Sequence, residues 1–130
     1  MNEKVLKILT DGSKDYFSLT DFEQDIFLLA SLINSAEGEG VASFYAGVGG
    51  AYHERLLELL NELRLDEAAF VIDSIGAIFP DGCPSEDDDE RKEILAELTE
   101  DYWDLFAEWN DQILEFIKEL KSALDTMTAK

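Results

Sequence analysis

Apolar residues recur at helical spacing in segment after segment of the chain, and the strict alternation of a half-buried strand persists nowhere. The expected fold class is therefore all-α. Residues 2 to 10 predict a short amphipathic helix ended by "DGSKD". Thr20 with Glu23 reads as a capping box, the hydroxyl accepting the third helical N–H while the carboxylate reaches back to the cap. The helix it opens carries Phe22, Ile26, Phe27, Leu29, Leu32 and Ile33 and ends near Ala36.

The stretch "EGEGVASFYAGVGG" can hold a short helix from Val41 to Tyr45, entered and left through glycines. A phosphate-binding loop is the functional alternative, but the Gly-Lys-Ser/Thr ending and the preceding strand are both missing. Residues 51 to 63, "AYHERLLELLNEL", give a helix with a wide leucine face. A further helix is expected from Asp66 to Ile78, after which Pro80, Gly82 and Pro84 break the chain. From Ser85 to about Met127 the pattern is helical throughout, as one long helix or two joined near Thr99. The total is about six or seven helices, with no repeat or linker to divide the span 1–130, so one domain is expected.

Placing residues 93 to 124 on one helix at ~100° per residue separates two faces. Glu93, Glu97, Glu100, Asp101, Asp104, Glu108, Asp111, Glu115 and Glu119 fall within a sector roughly 100° wide. Leu98, Tyr102, Leu105, Phe106, Trp109, Ile113, Phe116, Ile117, Leu120 and Leu124 take the opposite side, which is expected to be core. Ordinary solvated faces mix signs, because like charges four apart are each destabilising by a few tenths of a kcal/mol. Here Glu93 with Glu97, Glu97 with Asp101, Asp104 with Glu108, Asp111 with Glu115 and Glu115 with Glu119 repeat that penalty.

Composition gives this ribbon its context. The 130 residues include 30 Asp plus Glu against 10 Lys plus Arg, a formal net charge of −20, while 46 % hydrophobic content still provides for a core. Such charge excludes direct binding to nucleic acid or to an anionic membrane through a basic patch. It is compatible with a basic partner, with salt adaptation, or with drift. A straight helix from Glu93 to Glu119 would carry its carboxylates over ~39 Å, one every ~4–5 Å. Each strand of B-DNA carries a phosphate every ~3.4 Å. A basic DNA-binding groove would therefore be attracted to the ribbon, and Glu58, Glu62, Asp66, Glu67 and Asp73 could help to represent a second strand.

Glu86 to Asp89 extend the row of acids. In "PSEDDDERKEIL", Ser85 reads as a cap followed by an acidic first turn, with Asp87 and Asp88 placed four residues before Arg91 and Lys92. A calcium loop is not supplied by that spacing, and the lone Cys83 and single His53 give neither a disulfide nor a structural zinc site. No cofactor or metal is implied. Cys83 is expected to be a small buried side chain, and with one histidine and no placed nucleophile the protein is read as not an enzyme. No apolar run reaches membrane-spanning length or forms a signal peptide, so a cytoplasmic location is expected.

From "INSAEGEGVASFYAGVGG" through "GAIFPDGCPSEDDDERKEI", residues 32 to 125 resemble the bacterial DNA mimic protein 19 family. Gly40, Phe44 and Tyr45 match its first motif, and Phe79, Pro80, Gly82 and Pro84 match its Phe-Pro-x-Gly-x-Pro turn before an acidic helix. Glu39, Val41 and Gly47 depart from the family glycine motif. The resemblance implies an acidic helical protein that dimerises. It also implies DNA mimicry, in which Glu86 to Asp89 and the nine acids from Glu93 to Glu119 would contact the basic surface of a DNA-binding protein such as a transcription factor. An immunity or antitoxin protein that blocks a basic toxin or nuclease is the alternative, followed by an acidic domain with no charge-dependent partner.

Overall fold

The computed structural model describes residues 2–129; Met1 and Lys130, the ends of the expected 1–130 span, lie outside the described residues. Among the described residues the fold is all-α, with eight α-helices: α1 Glu3–Lys14, α2 Asp21–Glu37, α3 Val41–Ala46, α4 His53–Glu62, α5 Asp66–Gly76, α6 Asp88–Ala96, α7 Glu100–Glu115 and α8 Ile117–Thr128. Short 3-10 turns cover Tyr16–Ser18, Val48–Tyr52 and Pro80–Gly82. No described helix is long and apolar enough to cross a membrane.

The central element is α2. Its capping box forms as the sequence predicts, Thr20 Oγ1 accepting from the Glu23 amide at 3.2 Å and Glu23 Oε1 accepting from the Thr20 amide at 3.0 Å. Ile26, Leu28, Leu29, Ala30, Leu32 and Ile33 along it are wholly buried, so apolar contacts surround the helix. Helix α1 lies against it and runs on to Lys14, past the expected end at residue 10. The reason is Gly12: a Cβ there would stand 2.5 Å from the Phe27 ring, so the glycine is the point where the two helices touch rather than a helix stop.

The C-terminal third departs most from the expectation of one or two helices. The predicted junction at Thr99 exists, because α6 ends at Ala96 and Thr99 adopts the extended N-cap conformation before the acidic first turn of α7. A second break follows at Phe116, where the backbone leaves helical geometry and its N–H bonds to the Ile113 carbonyl, three residues back. Residues 93 to 124 are thus spread over three helices, and the straight ~39 Å row expected of a single helix does not exist.

Two polar side chains fix these C-terminal helices to the body. Asn110, on the inner side of α7, accepts from the Val41 amide at 2.9 Å and donates to the Ala36 carbonyl at 3.2 Å. One amide thereby satisfies a free N–H at the start of α3 and a free carbonyl at the end of α2. Arg91 on α6 is completely buried. Its Nε donates to the Tyr45 carbonyl at 3.0 Å, and its two terminal nitrogens reach the Ser85 carbonyl at 2.6 Å, the Gly47 carbonyl at 2.9 Å and the Asp88 carboxylate. Gly50 makes room for it, since a Cβ at that position would lie 2.7 Å from the guanidinium Nε and 2.5 Å from the Tyr45 carbonyl oxygen.

Candidate acidic interaction surface

Buried Arg91 changes the meaning of "PSEDDDERKEIL". Asp87, not Ser85, caps α6: its Oδ1 accepts from the amides of Asp89 at 2.9 Å and Glu90 at 3.1 Å, while Ser85 Oγ accepts from the Asp87 amide at 3.1 Å. With Asp87 committed to the cap and Arg91 turned inward, the expected Asp87–Arg91 and Asp88–Lys92 pairs do not form. Asp88 meets Arg91 three residues on instead. Glu86, Asp87, Asp88 and Asp89 all remain exposed, so the run keeps an acidic outer face although its neutralising arginine has moved into the core.

Helix α7 holds the most ordered set of carboxylates. Glu100, Asp101, Asp104, Glu108, Asp111 and Glu115 lie within a sector ~100° wide, and all six are exposed. The centre of that sector points roughly 160° away from Phe106, Trp109 and Ile113, of which Phe106 and Ile113 are buried. Core packing therefore sets the direction of the acids. Over the ~22 Å from Glu100 to Glu115 the mean spacing is ~4.5 Å per carboxylate.

Among the described residues the ion pairs engage Asp11, Asp25, Glu37, Glu58, Glu62 and Asp88, and none of the six acids of α7. Lys7, Arg55, Arg91 and Lys121 pair with other acids. Arg55 grips Asp25 through two bonds of 2.8 Å and also meets Glu62 at 3.1 Å and Glu58 at 3.4 Å. Glu58 and Glu62 are consequently not free to form a second row.

The remaining acids predicted for the surface separate by helix. Glu93 is on α6 and Glu97 is its C-terminal cap, both exposed. Glu119, on α8, lines a hollow with Arg64, Asp66, Glu67 and Phe116. Glu115 joins Asp66, Glu67, Phe70 and Gln112 around the neighbouring hollow. The structure thus brings the start of α5 to the C-terminal end of the α7 row, an association the sequence allowed without locating.

The apolar face drawn from periodicity is partly wrong. Tyr102 is 40 % exposed and Leu105 37 %, so the first turns of α7 do not bury the side that would continue the core stripe. Trp103 stands beside them, half exposed, and stacks at a tilt on Phe106 with ring centroids 5.7 Å apart. Exposed aromatic residues therefore accompany the acids, although Tyr102 lies on the side that periodicity assigned to the core.

The groups able to carry chemistry are placed differently. His53 is buried, with Nδ1 2.9 Å from the Tyr45 hydroxyl, and Gly76 leaves space for its Nε2. Burial lowers the His53 pKa below its ordinary 6.5, against opposing contributions from Asp73 and Glu54. Burial also pushes the Cys83 thiol up, helped by its contact with Glu54 at 3.4 Å, so the thiol is held in its unreactive form. Cys83 is half-buried rather than fully buried. Among the described residues, no group of three or more His, Cys, Asp and Glu side chains is arranged to hold a metal ion.

The depressed His53 pKa has a consequence for stability. Unfolded chains take up a proton near pH 6.5 while the native imidazole stays neutral, so stability falls as pH drops through 6.5 and levels off below the native pKa. Wild type is expected to lose denaturant resistance relative to His53→Gln between pH 7.5 and 5.5, measured as the urea midpoint. Parallel pH profiles for the two proteins would contradict this.

A family model described as DMP19-like protein matches residues 17–129 of the chain. No curated protein and no solved structure matches it.

Proposed function

Because the chain belongs to the DMP19-like family, we propose that it is a DNA mimic, a protein without catalysis of its own that occupies the basic DNA-binding surface of a partner. The observation that carries this reading is the outer face of α7, where six exposed carboxylates share one sector without a cation partner among the described residues. Their ~4.5 Å spacing is looser than the ~3.4 Å of phosphates along one DNA strand. A groove that binds phosphates would still meet a carboxylate at nearly every contact.

Holding those acids together costs stability. Glu100 with Asp104, Asp104 with Glu108, and Asp111 with Glu115 are like-charged neighbours four apart, each destabilising by ~0.2–0.5 kcal/mol. Asp66, Glu67 and Glu119 extend the negative field at one end of the row, and Glu86 to Asp89 with Glu93 add a second acidic region at the start of α6. The partner class is a basic, DNA-binding protein, and the mechanism is electrostatic competition with DNA.

Salt and DNA provide the test. A partner captured by the immobilised protein at low salt should be released as the screening length falls from ~10 Å at 0.1 M toward ~3 Å at 1 M. It should also be displaced by duplex DNA at low salt. Retention that is the same at both salt concentrations, or that DNA cannot reverse, would overturn the proposal.

A further inference from the structure

Away from α7, the turn between α1 and α2 presents a second feature suited to a basic partner. Phe17 is 77 % exposed, the most open of the large apolar side chains described. The turn holds it outward: Asp15 Oδ1 accepts from the Phe17 amide at 3.1 Å, and Ser18 Oγ donates to the Asp15 carbonyl at 2.7 Å. Tyr16 beneath it is buried and lies flat on Tyr52, with ring centroids 3.7 Å apart and planes 14° from parallel. Phe17 meets both rings edge-on, at 5.5 Å from Tyr16 and 6.0 Å from Tyr52. The ring planes are nearly perpendicular, and with 77 % of Phe17 exposed most of its ring surface is open to solvent.

Carboxylates accompany this cluster. Burial raises the Tyr52 pKa, with Glu86, Asp88 and Asp15 adding to the effect and Arg91 opposing it, so the cluster sits in a net negative field. Asp21 and Asp25 act on Tyr16 in the same way, after burial and Tyr52. Asp25 and Asp88 already serve Arg55 and Arg91. Asp15, Asp21 and Glu86 are exposed and have no ion pair among the described residues.

An anion would be repelled here, and a purely apolar group would desolvate the carboxylates without replacing their hydrogen bonds. A guanidinium satisfies both demands, because its weakly hydrated plane stacks on an aromatic face while its edge donates to carboxylates. A lysine ammonium is compact and strongly hydrated, so it gains less from the ring. We propose that the aromatic cluster of Phe17, Tyr16 and Tyr52 is an anchoring site for an arginine side chain of a basic protein partner. The guanidinium lies over Phe17 and donates to the Asp15 carboxylate that the turn holds beside it, within the negative field of Asp21 and Glu86. This rests on the reading of the partner as basic and adds to it a residue preference that charge alone does not produce.

Octa-arginine and octa-lysine peptides, equal in charge, separate the ring from the general acidity when titrated calorimetrically into the full chain at low salt. Octa-arginine is expected to bind ~3–5-fold more tightly than octa-lysine. Phe17→Ala should bring octa-arginine down to the octa-lysine level and leave octa-lysine unchanged. Phe17→Leu, which keeps apolar area but has no ring face, should behave as the alanine variant does. Phe17 is on the surface, and matching thermal unfolding of the variants verifies that they fold. Equal affinities in the wild type overturn the proposal, as does an arginine preference that survives Phe17→Ala or that disappears instead in Trp103→Ala. The mimic reading fails by a separate route, through a partner insensitive to salt and DNA, whereas this comparison is made at constant charge.

Discussion

Replacing Arg91 with methionine is expected to destabilise the protein by about 3–5 kcal/mol, because three carbonyls around the buried guanidinium lose their donor. That is a large share of the ~5–15 kcal/mol by which a domain of ordinary stability stays folded. The guanidinium supplies hydrogen bonds to the carbonyls of Tyr45, Gly47 and Ser85, in three directions at once. Methionine fills much of the volume but leaves those acceptors without donors, each costing ~1–3 kcal/mol where water cannot replace the bond. Asp88 would also lose its partner, but it is more than half exposed and can return to water. Arg91→Lys keeps the charge and still lacks the planar fork, so it should recover only a minor part of the loss. Urea denaturation of the three proteins measures this, and a methionine variant within 1 kcal/mol of wild type would show that the carbonyls find other donors.

Arg91 also shows where the sequence stopped being legible. The helical class, the capping box at Thr20, the short helix at Val41, the break around Pro80 and the junction at Thr99 all follow from signals within a few residues of one another. Arg91 looks like an ordinary surface cation by that standard, since it lies in a charged run and has acids at helical spacing. Its burial depends on carbonyls more than forty residues away and on Gly50, none of which local spacing can report. The end of α1 was misplaced for a related reason. Gly12 reads as a stop when its neighbours are sequential, and as a close contact once Phe27 is known to face it.

The candidate surface was legible in proportion to its dependence on a single helix. Within α7 the sector of six acids survives, because a 3.6-residue period and three apolar anchors determine it. Beyond α7 the same arithmetic fails at Glu93, Glu97 and Glu119, since each break in the helix changes the direction in which the next acid points. The aromatic cluster at the α1–α2 turn escaped for a different reason. Phe17 and Tyr52 lie thirty-five positions apart, in 3-10 turns, where no periodicity reveals that they meet.

Changing Asp104, Glu108, Asp111 and Glu115 together to their amides should lower affinity for a basic partner by at least about fourfold at low salt. Each exposed contact of this type contributes ~0.2–1 kcal/mol, and 1.4 kcal/mol is a factor of ten. The variant's salt dependence should flatten as well, because fewer counterions are exchanged on binding. A control with four amides at the exposed positions Glu3, Glu39, Asp81 and Asp125 has the same net charge. If it loses as much affinity as the α7 variant, total charge rather than the α7 row governs binding. Stability should move in the opposite direction. The substitutions relieve the like-charge pairs Glu100–Asp104, Asp104–Glu108 and Asp111–Glu115, for a gain of about 1 kcal/mol. A protein that becomes more resistant to urea while binding less tightly would identify the row as retained for recognition at the expense of the fold. If stability and affinity both remained at the wild-type level, the α7 carboxylates would be ordinary solvated charges and the mimic would have to be built from α6 and the start of α5.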